Sequence, residues 1–141
     1  MRVRTLLEAA VALVLLLGGA GWVSAQAATT IPTIMTVRAQ NTGCVVSLKT
    51  GDTLIVELDS NPSTGYSWAE SHKGDEVVSL QKMEHRKGVQ GDAPGAAGKD
   101  VWTFAMIRPG RQRLSFQYQR PWEKDVPAAK MVWYSIVVQR P

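Results

Sequence analysis

Apolar and polar residues alternate along short segments of this chain, and turn-forming residues separate the segments. Alternation with a period of two gives a β-strand one apolar face, whereas an amphipathic helix needs a period of about 3.6 residues. No segment shows a sustained helical period. The alternation is clearest in residues 53–59, 101–107, 113–119 and 131–138. The pattern therefore predicts an all-β sandwich rather than a helical fold.

Further strand patterns are shorter or less regular, at residues 34–39, 44–48, 66–70 and 76–83. Four aromatic side chains on the predicted strands are expected in the core, namely Trp68, Trp102, Phe104 and Tyr118. Two stretches, residues 86–100 and 123–129, show no strand pattern and are predicted to be loops. Loops of that length within a compact domain are usually functional or disordered.

The first 27 residues have the composition of a secretory signal peptide. Arg2 and Arg4 provide a positive start, and residues 9–17 form a continuous apolar run. Small residues then offer cleavage sites after Ala25 or Ala27. An uncleaved membrane anchor is the alternative, but the apolar run is shorter than the ~20 residues that a spanning helix needs.

We therefore expect residues 1–27 to be removed and residues 28–141 to form one domain. The sequence favours a periplasmic or secreted protein with no stable membrane anchor after cleavage. We expect a monomer.

The charge pattern does not indicate a nucleic-acid-binding protein. The formal net charge of the whole chain is +4, and removal of residues 1–27 takes away two arginines and one glutamate. The remaining cations are scattered, and they do not form a basic face with interleaved aromatic residues, which nucleic-acid binding would require.

Cys44 is the only cysteine, so an internal disulfide is impossible. It begins an apolar run, which favours a small buried side chain packed against the core. A catalytic thiol with His72 or His85 as its base is the alternative, although both histidines lie in polar stretches. Two histidines and one cysteine without ligand spacing indicate neither a metal site nor a cofactor. The sequence thus predicts a protein that is not an enzyme.

One loop sequence, the NPSTGY motif, interrupts the predicted strands at residues 61–66. It consists of Asn61, Pro62, Ser63, Thr64, Gly65 and Tyr66. Asparagine followed by proline starts a turn, and glycine adopts backbone conformations that other residues resist. The motif is therefore predicted to form a rigid turn with two small hydroxyl residues at its tip.

Two more loop motifs follow downstream. The GAAG motif consists of Gly95, Ala96, Ala97 and Gly98, and the RPW motif consists of Arg120, Pro121 and Trp122. A glycine-rich segment lets the backbone approach another molecule closely, or it is a plain linker. Trp122 follows a proline and precedes a charged run, which favours an exposed side chain over a core position.

Taken together and in this order, the three motifs resemble those of the chagasin family of cysteine-peptidase inhibitors. That family carries an NPTTGY/F loop, a GxGG loop and an RPW/F loop at one end of an immunoglobulin-like sandwich. The resemblance covers about residues 34–139. The chain departs from the pattern at Ala97, where the family usually has glycine.

The resemblance implies an immunoglobulin-like antiparallel β-sandwich with three functional loops at one end. It further implies reversible inhibition of papain-family cysteine peptidases, with all residues of the three motifs contacting the peptidase and closing its active-site cleft. Strands that alternate in direction can bring all three loops to the same end. The alternative is an exported immunoglobulin-like binding module that uses the same end for another envelope protein or a glycan.

Overall fold

The computed structural model describes residues 31–88 and 97–141, which fold into eight β-strands and two short 3-10 turns. The strands are β1 (Ile34–Arg38), β2 (Val45–Lys49), β3 (Thr53–Ser60), β4 (Ser67–Gly74), β5 (Val78–Lys87), β6 (Gly98–Met106), β7 (Gly110–Gln119) and β8 (Lys130–Gln139). The 3-10 turns are Ala39–Asn41 and Pro62–Thr64. In this part of the chain, no helix is long and apolar enough to cross a membrane.

The strands form two four-stranded sheets, with the orders β1-β3-β6-β5 and β2-β8-β7-β4. Four neighbouring pairs are antiparallel, whereas β1 pairs with β3 and β2 pairs with β8 in parallel. The predicted all-β, antiparallel sandwich is confirmed, and the two parallel pairs attach the outermost strands β1 and β2 to it. Each strand runs in the opposite direction to the strand before it. All odd-numbered strands therefore run one way, and all even-numbered strands run the other way.

This alternation of direction brings all connections that follow odd-numbered strands to one end of the sandwich. They are residues 39–44, 61–66, 88–97 and 120–129. Three of these four connections contain or border the three motifs, so we call this end the motif pole. The predicted common end is therefore confirmed for the NPSTGY and RPW motifs and for Gly98, the last residue of the GAAG motif.

The core lies between the sheets and consists of the apolar side chains of the alternating strands. Its largest fully buried residues are Tyr134, Phe104 and Phe116. The four aromatic residues predicted for the core, Trp68, Trp102, Phe104 and Tyr118, are all buried. Phe116 contacts Trp102, with 4.9 Å between ring centroids, and Tyr134 at 6.2 Å. Burial of such rings is the main favourable contribution to a fold without disulfides.

The predicted loop at residues 86–100 is wrong at both ends, because β5 continues to Lys87 and β6 begins at Gly98. Polar residues on the inward-facing side hide the strand pattern here. Asp100 is buried, and its carboxylate lies 2.6 Å from Nδ1 of His85 on the neighbouring strand. The His85 ring thus gives the buried Asp100 carboxylate a hydrogen-bond partner, as buried polar groups require.

Cys44 is half-buried and packs against the core, in keeping with the core-facing interpretation. Neither candidate base is placed for a catalytic thiol, because Cys44 directly precedes β2 at one edge of the second sheet. His72 lies on β4 at the opposite edge of that sheet, and His85 lies on β5 in the other sheet. Burial raises the pKa of Tyr134 to about 12, with a smaller contribution from the nearby Cys44.

At the end opposite the motif pole, Asp52 fastens the turn between β2 and β3. Its carboxylate accepts hydrogen bonds of 2.7 Å from the backbone N–H groups of Thr33 and Lys49. These bonds, led by that from Thr33, hold the pKa of Asp52 below its ordinary value. The Asp52 carbonyl also accepts a 3.0 Å bond from the N–H of Met106. One buried residue thus ties together β2, β6 and the segment that leads into β1.

Replacement of this carboxylate should remove a pH-dependent part of the stability. A group with a depressed folded-state pKa stabilises the fold above its ordinary pKa of about 4, and this stabilisation is lost as the pH falls. We expect Asp52→Asn to lower the free energy of unfolding at pH 7 by about 1–3 kcal/mol. We also expect the variant to lose less stability than the wild type between pH 7 and pH 3.

Urea unfolding at both pH values measures this difference. The exposed loop residue Asp125 provides the control, and Asp125→Asn should behave like the wild type. An unchanged acid dependence in Asp52→Asn would contradict the assigned role.

Candidate functional site

The motif pole is built by paired strand ends in both sheets. In the first sheet, Gly98 lies between Ser60, the last residue of β3, and Lys87, the last residue of β5. In the second sheet, the start of β4 pairs with the end of β7 at Ser67 and Gln119. The NPSTGY and RPW motifs are therefore loops held by paired strand ends, and Gly98 of the GAAG motif is the first residue of β6.

The NPSTGY motif forms a turn that its own residues hold. The side-chain oxygen of Asn61 accepts hydrogen bonds from the backbone N–H of Ser63 at 3.3 Å and from its hydroxyl at 2.6 Å. The carbonyl of Asn61 accepts from the backbone N–H of Thr64 at 3.1 Å and from its hydroxyl at 2.7 Å. Gly65 then takes a φ of 77° and donates to the Pro62 carbonyl at 3.0 Å. The predicted rigid turn is thus confirmed.

The tip of this turn is exposed at Pro62, Ser63 and Thr64. Both hydroxyl hydrogens are used within the loop, and the Thr64 oxygen also accepts from the backbone N–H of Tyr66 at 3.4 Å. The Ser63 oxygen and the remaining lone pair of the Thr64 oxygen can accept hydrogen bonds from outside. The tip is therefore suited to a partner that donates hydrogen bonds.

Three aromatic rings anchor both ends of the motif. The Tyr118 hydroxyl accepts a 3.1 Å hydrogen bond from the backbone N–H of Asn61. The Tyr118 ring stacks on Tyr66 with 5.3 Å between centroids, and it contacts Trp68 at 4.9 Å. The indole N–H of Trp68 donates to the carbonyl of Asp59 at 3.0 Å. The loop is thereby tied to the core at its start and at its end.

Trp122 is 65% exposed, which confirms the predicted exposed position. Its ring also lies directly over Gly65, because a Cβ atom at Gly65 would be 2.6 Å from Cη2 of Trp122. A side chain at position 65 would displace the indole. The NPSTGY and RPW motifs are therefore in contact and form one continuous surface.

Arg120 supports this surface from within. Its guanidinium lies 4.7 Å from the ring centroid of Tyr66, and its Nη1 donates to Glu123 at 3.1 Å. Both of these interactions are with residues of its own chain. Arg120 thus joins the two motifs a second time.

The GAAG motif is described only in part. Gly95 and Ala96 lie outside the described residues, and Ala97 is exposed. Gly98 needs to be glycine because a Cβ atom there would lie 2.5 Å from the Arg86 carbonyl and 2.8 Å from Nε2 of His85. The motif therefore begins β6 at a point where the neighbouring strand approaches closely.

Sequence reasoning missed the supporting role of Tyr118, Trp68 and Glu123. The alternating pattern identified the two aromatic residues as core, but it cannot show that a core hydroxyl or indole N–H reaches a loop backbone. The Glu123 carboxylate lies three residues after Arg120, a spacing that could have indicated the ion pair.

In the part of the chain that the structure describes, no three His, Cys, Asp or Glu side chains form a group that could hold a metal ion. The exposed surface instead offers hydroxyl oxygens, an indole ring and backbone groups. Such a surface can bind another molecule, but within the described residues it contains no acid, base or nucleophile arranged for catalysis.

Comparisons with known proteins agree with this arrangement. The model of the Chagasin family peptidase inhibitor I42 matches residues 47–137. Amoebiasin-2 from Entamoeba histolytica is 25% identical over 88 residues, which cover 62% of this chain and 72% of that protein.

Two solved structures show the same fold. The cysteine protease inhibitor EhICP2 from Entamoeba histolytica has a TM-score of 0.70 and 21% identity, over 76% of this chain and 96% of that chain. The solution structure of Amebosin has a TM-score of 0.63 and 23% identity, over 77% of this chain and all of that chain (100%).

The family match spans most of the sandwich, from β2 to β8, and it includes the NPSTGY, GAAG and RPW motifs. The members of such a family bind peptidases and are not enzymes themselves. The chain therefore belongs to the chagasin family of peptidase inhibitors.

Proposed function

We propose that this protein reversibly inhibits papain-like cysteine peptidases by placing its motif pole in their active-site cleft. The observation that carries the proposal is the contact between the Trp122 indole and Gly65. This contact joins a narrow, exposed tip to a broad aromatic surface. A tip that enters a groove, beside a surface that grips its rim, is the shape that occlusion of a cleft requires.

The chemistry of the tip fits the bottom of such a cleft. A papain-like peptidase holds a thiolate and an imidazolium there. The outward-facing hydroxyl oxygens of Ser63 and Thr64 can accept hydrogen bonds from the imidazolium or from nearby backbone N–H groups. The turn is formed before binding, so little loop entropy is lost on association.

The same turn explains why the tip would not be cleaved. A scissile peptide must place its carbonyl in an oxyanion hole next to the nucleophile. The carbonyls of Asn61 and Pro62 already accept hydrogen bonds within the turn, from Thr64 and Gly65 respectively. The tip would therefore cross the nucleophile without offering either of these two carbonyls in the alignment of a substrate.

The flanking motifs would grip the two rims of the cleft. Trp122 offers a large flat surface of the residue type most enriched at interface hot spots. The backbone of the GAAG motif would approach the opposite rim. The proposed contact residues are Asn61, Pro62, Ser63, Thr64, Gly65, Tyr66, Gly95, Ala96, Ala97, Gly98, Arg120, Pro121 and Trp122.

Export from the cytoplasm belongs to the same proposal. Its support is the sequence of residues 1–27, with Arg2 and Arg4 before an apolar run and small residues at Ala25 and Ala27. Sequencing the N-terminus of protein recovered from cells tests it. A chain that begins at Gln26 or Ala28 supports export, and an intact Met1 argues against it.

Titration of papain with the purified protein tests the inhibitory function. We expect peptidase activity to fall in proportion to added protein until the two are equimolar, and to return on dilution. If the protein inhibits neither papain nor several related enzymes, the proposal is overturned, and a binding module with another partner is favoured.

A charge at the tip should abolish inhibition. In Thr64→Asp, a carboxylate would lie in a desolvated cleft beside the thiolate, and an uncompensated buried charge costs about 3–5 kcal/mol. We expect the inhibition constant to rise by a factor of about 100 or more. Thermal stability should change little, because residue 64 is exposed.

Two control variants accompany this test. Thr64→Ser keeps the hydroxyl that bonds to Asn61 and should inhibit normally. Ser47→Asp adds the same charge at an exposed position on β2 and should also inhibit normally. Undiminished inhibition by Thr64→Asp would mean that the tip does not enter the cleft.

Truncation of the exposed indole should weaken binding rather than folding. We expect Trp122→Ala to lose about 2 kcal/mol or more of binding energy, mainly through faster dissociation. The melting temperature should stay close to that of the wild type, because the ring is 65% exposed. Ile107→Ala, which truncates a residue 49% exposed at the opposite end, is the control. A large fall in melting temperature for Trp122→Ala would instead identify a structural residue.

A methyl group at position 65 should separate the two motifs. Gly65→Ala introduces strain at a positive φ, which costs about 1–2 kcal/mol, and its Cβ atom would lie 2.6 Å from the Trp122 ring. We expect weaker inhibition, and we expect Trp122→Ala to weaken it little further in the double variant, because the indole contact is already lost.

The control for this test is Gly51→Ala. Gly51 has a similar positive φ of 95°, but a Cβ atom at this position would meet no other atom within 4 Å. This variant should lose stability and retain inhibition. Additive effects of Gly65→Ala and Trp122→Ala on the inhibition constant would contradict the proposed coupling.

A further inference from the structure

A group of three cations lies on the outer face of the second sheet, away from the motif pole. Lys73 on β4 and Arg113 on β7 are directly opposite each other in the strand register, and Arg111 precedes Arg113 by two positions on the same face. We call these three residues the basic patch. They line an open groove with a volume of about 450 Å³.

The charges of the basic patch are not compensated. Across residues 31–88 and 97–141, no carboxylate oxygen lies within ion-pair distance of its three cations. On the first sheet, by contrast, Glu57 lies 3.1 Å from Arg38 and 3.8 Å from Lys99. Like charges directly opposite each other destabilise a strand pair. Like charges that face each other without a compensating contact are a feature expected of a functional surface.

The other groups that line the groove suit a ligand with both polar and apolar parts. Val45 and Val137 contribute apolar surface, and Ser135 contributes a hydroxyl group. Beside the groove, the guanidinium of Arg113 stacks on the half-buried ring of Trp133, 4.2 Å from its centroid. The stacking holds the guanidinium in one orientation, which leaves its edge N–H groups available for an anion.

We propose that this groove binds an acidic oligosaccharide, a sugar segment that carries sulfate, phosphate or carboxylate groups. The anionic groups would pair with the basic patch, with two parallel hydrogen bonds to arginine. The apolar faces of the sugar rings would pack against Val45 and Val137. A volume of about 450 Å³ is within the range of small-ligand sites, roughly 300–1,000 Å³.

An acidic peptide fits the groove less well. Peptides that bind to sheets obtain much of their affinity from backbone hydrogen bonds to an open strand edge. The basic patch is centred on β7, which is an inner strand with β4 on one side and β8 on the other. The backbone groups of β7 are used by the sheet, and the free edge of the outermost strand β4, which carries Lys73, lies on the side away from β7. Recognition on the face of the sheet therefore depends on side chains.

The basic patch and the motif pole lie apart, so both can be occupied at once. β7 ends at the motif pole, and Arg111 is the second residue of that strand. Lys73 is likewise near the far end of β4. A protein bound to an acidic polysaccharide through this groove would still present its motif pole. This inference does not depend on the proposed inhibition of peptidases.

Calorimetric titration of the purified protein with a heparin-derived hexasaccharide tests the proposal. A galacturonate hexamer serves as a second ligand, which distinguishes sulfate from carboxylate recognition. We expect saturable binding to at least one of the two, with affinity that falls as salt is added. Neutral maltohexaose should not bind. Failure of both acidic sugars to bind would overturn the proposal.

The double variant Lys73→Gln/Arg111→Gln tests the location. We expect the affinity for the sugar to fall by at least about tenfold, because two charge-assisted contacts are lost. The melting temperature should stay the same or rise, because the like-charge repulsion is relieved. Lys82→Gln/Lys99→Gln changes the net charge equally on the outer face of the other sheet, and it should bind the sugar normally.

Three results would contradict the proposal. An equal loss of affinity in the two double variants would show that only net charge matters. Tighter binding of a polyglutamate peptide or single-stranded DNA than of the acidic sugars would assign the groove to another class of polyanion. Competition between hexasaccharide and papain would place the sugar at the motif pole rather than in the groove.

Discussion

The indole of Trp122 rests on the backbone of Gly65, and the structure of the motif pole depends on this contact. It requires a residue without a side chain, because a Cβ atom would lie 2.6 Å from the ring. It also requires the positive φ of 77° that turns the chain back toward the core. Tyr66 can then stack on Tyr118 and support the Arg120 guanidinium. Two loops far apart in sequence thereby become one rigid surface.

The strand order determines where this surface lies. Each strand reverses the direction of its predecessor, so the loops after β3, β5 and β7 emerge at one end. The same order gives the parallel pairs of β1 with β3 and of β2 with β8. At the opposite end, Asp52 closes the sandwich with hydrogen bonds to two backbone N–H groups. The two ends and the outer face with the basic patch are thus separate surfaces on one core.

Local patterns in the sequence predicted the strands, the turn at residues 61–66 and the exposed position of Trp122. They failed where the structure depends on contacts between distant residues. The pattern could not reveal that β6 begins at Gly98, because the buried Asp100 and its partner His85 are polar residues where a strand pattern would have apolar ones. It could not assign Arg120 to its own Tyr66, or bring Lys73 next to Arg113. Those relations arise only when the strands pair.

The central claim is that the motif pole covers the catalytic thiol of a papain-like peptidase. The most direct test is the rate at which iodoacetamide alkylates the papain active-site cysteine, measured with and without a saturating amount of this protein. If the tip at Ser63 and Thr64 lies over the thiolate, alkylation will slow in proportion to the fraction of papain bound. Alkylation at the free-enzyme rate within a demonstrated complex would show that the protein binds elsewhere on the peptidase.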